Sequence, residues 1–535
     1  MHEELIDTDN IIIGSGPSGI SAAWALIKKG QKVTILDVGE ELEPENNSLR
    51  SRLASCEPNQ WHESDIISYT KDKNRDNTDE AKPFGSDFLF RDSIRFFKNS
   101  SSDNLTGLKP SFAKGGLSNG WGSSILPYRK EDIKDWPADT IDLAKHYDAL
   151  SEFMPIASKI DDLHSLFPMQ EIKKDTSVPL TAQAQRLLDN LNKNKKRLNQ
   201  SGIYFGQARQ AMSSKDCRQC AMCLYGCPYG VVYSTKNTLD QLILHSSVTY
   251  KKGYFVTKIK EHEDCVQIWA QDISNNNEQE FSASKVFVAC GVIPSAKLMM
   301  NSLEYFNKPI YMKDSQHFFL PMIHTWRSKK NLDTEKMTSL VQLFVELTDP
   351  DAVDKTAHIQ IYTFNDFYAK DIKKRLGFFS KPLKPLINLL SRHLIVAQGF
   401  LHSDYSSKIE VRLNKEHSIK NLKIQARTNP KMICTLKAIK KRLSRLAIGV
   451  GLLPLLPLSR NGTVGSGFHC GATFPMKKNP IGLESDTLGR IAGLKRVYII
   501  DASVLPSIPA TTITLSVMAN AHRIAMESCE KKSSL

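Results

Sequence analysis

The sequence predicts an α/β protein of two packed domains. One holds a mostly parallel sheet grown from a βαβ unit, and the other, interleaved with it, is α+β and built on an antiparallel sheet. Three observations predict this. A glycine-punctuated strand, helix and second strand open the chain; an apolar strand ending in an acid lies near residue 500; and alternating runs such as HIQIYTF and KIEVRLN occupy residues 306–465. At 535 residues, with 41% hydrophobic and 24% charged side chains, the chain exceeds one ordinary domain and has the composition of a globular protein.

The first element is DNIIIGSGPSGISAAWALIKKGQKVTILDVG. An apolar strand over Ile11, Ile12 and Ile13 turns through Gly14, Gly16 and Gly19 into an Ala-rich helix, and a second strand ends at Asp37. Gly14 permits the turn, Gly16 lets backbone approach a pyrophosphate, and Gly19 lets helix and strand pack closely. The helix N-terminus faces the phosphate charge, and Asp37 is placed to accept a hydrogen bond from a ribose hydroxyl. This is a Rossmann-like unit for FAD or NAD.

The far end of the chain favours FAD. LKRVYIIDASVLPSIPATTITLSVMANAHRIAMES has a buried strand ending in Asp501, a Pro-punctuated turn and a helix with small residues Ala519, Ala521 and Ala525 on its packing face. With the N-terminal unit it resembles the glucose-methanol-choline (GMC) flavin oxidoreductases, in which the two ends of the chain meet around FAD. Four further stretches are similar to that family. KGGLSNGWGSS looks like its flavin-contacting loop, with Gly115, Gly116, Ser118, Asn119 and Trp121 in place. TYKKGYFVTKI resembles the strand whose residue, here Val256, contacts the adenine side. SASKVFVACGVIPSAKLMMNS resembles the strand and helix that return to the FAD domain, with Gly291 at the turn. GFHCGATFPM looks like the segment of the catalytic histidine.

That resemblance assigns the acid/base to His469, with Ala472, Thr473 and Met476 at the matching offsets. Oxidising an alcohol removes the hydroxyl proton as the carbon's hydride leaves for the flavin, and imidazole titrates nearest neutral pH. The family's second catalytic position, usually His or Asn, aligns with Thr512. A hydroxyl hydrogen-bonds a substrate oxygen but takes no proton at neutral pH. Thr512 therefore either positions substrate or caps the helix that follows.

Cys217, Cys220, Cys223 and Cys227 stand in CRQCAMCLYGCPYG, the spacing of a bacterial ferredoxin run, with Gly226, Pro228 and Gly230 supplying turns. Three of the thiolates could hold a 3Fe-4S cluster, or all four a 4Fe-4S cluster. Bacterial FAD-dependent sugar dehydrogenases of the GMC family carry a similar run; Cys223, Cys227, Pro228 and Gly230 match it, whereas Cys217 and Cys220 depart from it. Structural zinc is the other reading of the same composition. A cluster beside FAD would let two electrons leave one at a time. The remaining six cysteines are scattered, which is not a secreted disulfide framework.

The resemblance implies an FAD-binding domain over residues 1–45, 105–135, 236–305 and 488–535, a lid or insertion over 46–104, and a substrate domain over 136–235 and 306–487 that includes the Cys loop, 217–230. The expected activity is dehydrogenation of a hydroxyl on a sugar or glycan-related substrate, with electrons passed to an external quinone, cytochrome or other protein. The alternatives are an oxygen-using oxidase of fatty or steroid alcohols and a catalytically silent flavin redox partner. The formal charge of +14 is dispersed in short groups, so no nucleic-acid partner is expected. Lys373–Phe400 and Lys437–Arg460 join basic clusters to apolar runs, which suits peripheral contact with anionic lipid and equally suits helices whose apolar faces fill the core. The acidic N-terminal stretch lacks a secretory pattern, and a cytoplasmic location is the default expectation.

Overall fold

The computed structural model describes residues 6–70, 83–91, 93, 101–103, 108–169, 175–326, 337–348, 354–363, 393–417 and 419–530. The protein is a mixed α/β molecule, built among the described residues round three sheets. The first runs in the order Val248–Lys252, Val33–Asp37, Ile6–Ile13, Glu278–Val288, Val266–Asp272, Tyr254–Glu261. Its first four strands pair parallel, as does Val497–Ile499 on Glu278–Val288, and the last two pair antiparallel. Strands such as Val33–Asp37 are buried throughout because helices cover both sides, the reason their sequences read as unbroken apolar runs. Helix Pro17–Lys28 packs on helix Thr514–Glu530, so residues from opposite ends of the sequence share one core.

The second sheet is antiparallel, in the order Leu452–Pro454, His317–His324, Leu394–Phe400, Ala357–Thr363, Leu343–Leu347, Ile203–Gln207. The two alternating runs that suggested one sheet fall in different ones: HIQIYT is here, whereas KIEVRLN lies in the third sheet, paired with Pro309–Asp314 and Ile419–Arg427. The alternation gives each strand a buried apolar face but carries no information on which strand pairs with which.

One face of the second sheet, including Phe205, Val345, Ile359, Ala397 and Leu320, is apolar and packs on helices Ala182–Lys193 and Pro430–Gly449. The basic, apolar stretch from Lys437 thus continues the helix as far as Gly449, and the helix's Leu436, Ile439, Leu443 and Ala447 fill the core. Residues 373–392 of the other such stretch lie outside the described residues. Among the described residues no helix is long and apolar enough to cross a membrane.

Candidate active site

The N-terminal turn is shaped by what its glycines omit. Gly14 has φ +100°, and a Cβ there would stand 2.6 Å from the Ala289 carbonyl oxygen; a Cβ at Gly19 would overlap the Gly14 carbonyl. Gly16 faces open space. Beyond it lies a cavity of about 480 Å³ lined by Gly14, Gly16, Asp37, Gly116, Val256, Gly291 and Asp501, among others. Gly19, Gly115, Ser118 and Asn119 do not line it; they brace it. Asn119 donates to the carbonyls of Lys114 (3.0 Å) and Gly116 (2.8 Å), and Ser118 donates to the carbonyl of Gly115 at 2.6 Å.

Two partners of Asp37 were not legible in the sequence. Ser15 makes a short hydrogen bond to the carboxylate, and the Tyr250 hydroxyl donates to the same oxygen at 3.1 Å. Burial raises the Asp37 carboxyl to about 6, against the opposing pull of those bonds. Asp501, also buried, accepts from the amides of Gly291 and Ser503 (both 2.9 Å) and from the Ser295 hydroxyl at 2.5 Å, which locks the turn at Gly291. Lys109, Lys297 and Lys420 line the cavity as well, each ammonium pushed down by burial. A turn that admits pyrophosphate, a buried acid at a ribose position and lysines on the rim fit a dinucleotide cofactor such as FAD.

His469 sits on a strained loop at the edge of this cavity. Phe468 and Ala472 both take positive φ (56° and 62°), and Phe468 and Cys470 line the cavity on either side of the histidine. Its carbonyl accepts the Ser315 amide at 2.9 Å, and its ring stacks on Phe400 with centroids 4.7 Å apart and planes 20° apart. The residue is half-buried, with Nδ1 in the interior and without a hydrogen-bond partner among the described residues. Burial first, then the neighbouring His358 and His317, hold the imidazole down at about 3, so it is neutral at physiological pH and free to take a proton.

Thr512 is buried, and its hydroxyl oxygen accepts the Leu126 amide at 2.8 Å. The helix begins at Thr514, and Ile513 and Thr514 line the cavity beside it.

The cysteine loop is tightly turned: Gln219, Ala221, Gly226 and Gly230 all take positive φ. Burial raises the Cys220 thiol to about 11 and the Cys223 thiol to about 12, and each also feels the other cysteines of the run. The four thiols are thus within electrostatic reach of one another. Yet among the described residues no group of three His, Cys, Asp or Glu side chains is set to hold a metal, these four included. The loop is docked on helices Pro44–Ala54 and Glu63–Thr70, with Arg50 donating to the Pro228 carbonyl at 3.3 Å and Tyr69 to the Gly226 carbonyl at 3.0 Å. Its continuation reaches the cavity-bracing loop: Ser234 donates to Asn119 Oδ1 at 3.0 Å, and Thr235 to the Gly115 carbonyl at 3.0 Å.

Comparison with known proteins gives the same picture. Residues 116–303 and 457–521 match the N- and C-terminal models of the family described as GMC oxidoreductase, and residues 12–43 match an NAD(P)-binding Rossmann-like domain. No curated protein matches by sequence. Among solved structures, pyridoxine 4-oxidase from Mesorbium loti is similar at a TM-score of 0.60 and 14% identity, over 98% of this chain and 100% of that one. A formate oxidase is similar at 0.58 and 14%, over 99% of each chain. A variant of the Aspergillus oryzae RIB40 formate oxidase reaches 0.59 and 14%, over 98% of this chain and 99% of that one. The turn at Gly14 and Gly16 falls in the Rossmann-like match and the loop at Gly116 and the histidine loop in the GMC matches: the chain carries the N- and C-terminal domains of the GMC oxidoreductases and is an FAD-dependent oxidoreductase acting on CH–OH groups.

Proposed function

We propose that the protein is a cytoplasmic dehydrogenase that oxidises a hydroxyl of a sugar or glycan-related substrate, with His469 as base and Thr512 as a positioning hydroxyl. The four-part division into discontinuous FAD domain, lid and substrate domain belongs to the same reading. Bound FAD would accept the hydride. The neutral imidazole of His469 would take the hydroxyl proton. Thr512 accepts the Leu126 amide and so keeps its own hydroxyl hydrogen to offer a substrate oxygen.

An iron–sulfur cluster at Cys217, Cys220, Cys223 and Cys227 would carry electrons singly to a non-oxygen acceptor such as a quinone or cytochrome. The observation that supports this most is the run of chain from Cys227 to Ser234 and Thr235, which ties the cysteine loop to the loop bracing the cavity. A second reading, an oxidase that hands electrons to oxygen, is favoured by the spacing of the thiols as they stand and by the names of the similar structures.

Anaerobic absorbance and iron analysis of the purified holoenzyme and of Cys223→Ser/Cys227→Ser separates them. Stoichiometric iron lost from the variant supports the dehydrogenase. FAD without iron, reoxidised rapidly by oxygen, supports the oxidase.

Peripheral contact with anionic lipid is part of the proposal. Ile433, Ile448, Leu453, Leu456 and Leu458 are exposed among the exposed Lys431, Lys437, Lys441, Arg445 and Arg460, and residues 417–483 contain neither Asp nor Glu. Sedimentation with phosphatidylserine vesicles checks it: binding that salt abolishes supports the contact, and none at low salt removes it.

A further inference from the structure

The residue before His469 is held in an unusual state. Phe468 takes φ +56°, whereas Gly467 and Gly471 on either side of the pair do not enter the left-handed region. A bulky side chain at that φ is strained, and such strain persists only where the surrounding structure holds it. Phe468 lines the cofactor cavity and is 41% exposed, although its ring stacks on Phe90 with centroids 6.1 Å apart and planes 15° apart. One side of the ring is thus occupied, and the exposed remainder meets the cavity.

Phe90 is a fixed backing for that ring. It is buried in a small apolar cluster with Phe88, Leu89 and Ala113, and Ala113 itself lines the cavity. Leu89 fills the space beside Gly120, where a Cβ would stand 2.5 Å from its side chain. Arg91 ties the same segment to Glu43 and, at 3.7 Å, to Glu40, just beyond Asp37. The Phe468 ring therefore cannot fold back toward Phe90, and its backbone conformation keeps it in the cavity wall.

We propose that Phe468, backed by Phe90, is a cofactor-contact residue that packs against the isoalloxazine of FAD and fixes that ring beside His469. The inference rests on His469 being the base. With the adenosine ribose at Asp37 and the pyrophosphate at the Gly14–Gly16 turn, the isoalloxazine lies on the far side of that turn. A base works where the hydride is passed, so the residue next to it in the cavity wall faces the isoalloxazine and not the adenine. Aromatic rings in contact add to the stabilisation that burial of their area provides. The adenosine half of the cofactor touches neither phenylalanine, so only the flavin half should feel their loss.

The test compares the affinities of FAD and ADP for the full-length chain freed of flavin, by equilibrium ultrafiltration, in wild type, Phe468→Leu, Phe468→Tyr and Phe90→Leu, with melting temperature as the control for folding. ADP probes the adenosine end alone. Phe468→Leu should weaken FAD by about 3–10-fold, Phe90→Leu should weaken it in the same direction, and Phe468→Tyr should restore it, with ADP affinity unchanged throughout. Equal losses of FAD and ADP would mean a general distortion of the cavity and overturn the inference. Unchanged FAD affinity in Phe468→Leu overturns it as well. Should Phe468→Leu not fold, Phe90→Leu decides, because it leaves the histidine loop intact. The base is judged separately by flavin reduction in His469→Ala: a normal rate there, with FAD affinity lowered here, overturns the base and keeps the contact.

Discussion

Asp314 grips the histidine loop on both sides of His469: its Oδ2 accepts the Gly465 amide at 3.0 Å and its Oδ1 the Cys470 thiol at 3.3 Å. The next residue, Ser315, donates its amide to the carbonyl of His469 itself. A buried carboxyl therefore sets the position of the base without touching its ring.

Burial raises the Asp314 carboxyl from 3.8 to about 6. A carboxyl whose value is higher in the folded state favours folding while protonated, and that contribution is lost as pH rises through the folded value. Wild type should thus lose stability relative to Asp314→Asn between about pH 4 and pH 6, by on the order of 2–3 kcal/mol. Asp37, shifted the same way, adds to the trend in both proteins, so the difference between their melting curves isolates Asp314. A difference that does not vary with pH would refute the buried-charge account.

Gly19→Ala and Gly16→Ala should part company. At Gly19 the new methyl overlaps the backbone of Gly14, and about 1–3 kcal/mol of stability should go together with FAD. At Gly16 the methyl enters open space reserved for a ligand. That variant should melt near the wild-type apoprotein and fail mainly in FAD affinity, as flavin release by filtration would show.

His469→Ala should keep the flavin spectrum and slow flavin reduction by about 10²–10⁴-fold, the usual contribution of a positioned base. Anaerobic stopped-flow with any alcohol that reduces the wild-type flavin measures this. A loss below tenfold would move the base elsewhere.

Thr512→Val retains the shape but leaves the Leu126 amide buried and unpaired, at a cost of about 1–3 kcal/mol. Thr512→Ser should retain the bond and the stability. Equal melting temperatures for Val and Ser would show that the amide finds another partner.

Much of this site was legible in sequence because its residues sit in local motifs. Gly14, Gly16 and Gly19 act within one turn, and His469 lies in a short local motif, although the left-handed positions of its loop fall on Phe468 and Ala472 and not on Gly467 and Gly471. The partners of Asp37 were hidden because Tyr250 comes from a strand more than two hundred residues away, brought alongside only by sheet pairing. Phe90 and Phe468 were hidden from one another for a like reason: they come from distant parts of the chain, and only the fold stacks their rings. The cysteine run was visible by spacing, but spacing does not fix how far the thiols stand apart. Thr512 precedes the cavity-lining Ile513 and Thr514, and its bond to Leu126 joins segments that no local pattern connects.

The pairing of helix Pro17–Lys28 with helix Thr514–Glu530, and of strand Val497–Ile499 with Glu278–Val288, has a consequence during synthesis. The Gly14 turn precedes Asp501 and the helix that closes the cradle by most of the sequence. Until that helix is made, strand Ile6–Ile13 and helix Pro17–Lys28 have one flank of their core uncovered and the cradle is incomplete. Closure of the cofactor cradle therefore waits on a contact of very high sequence separation, the kind that is slow to form.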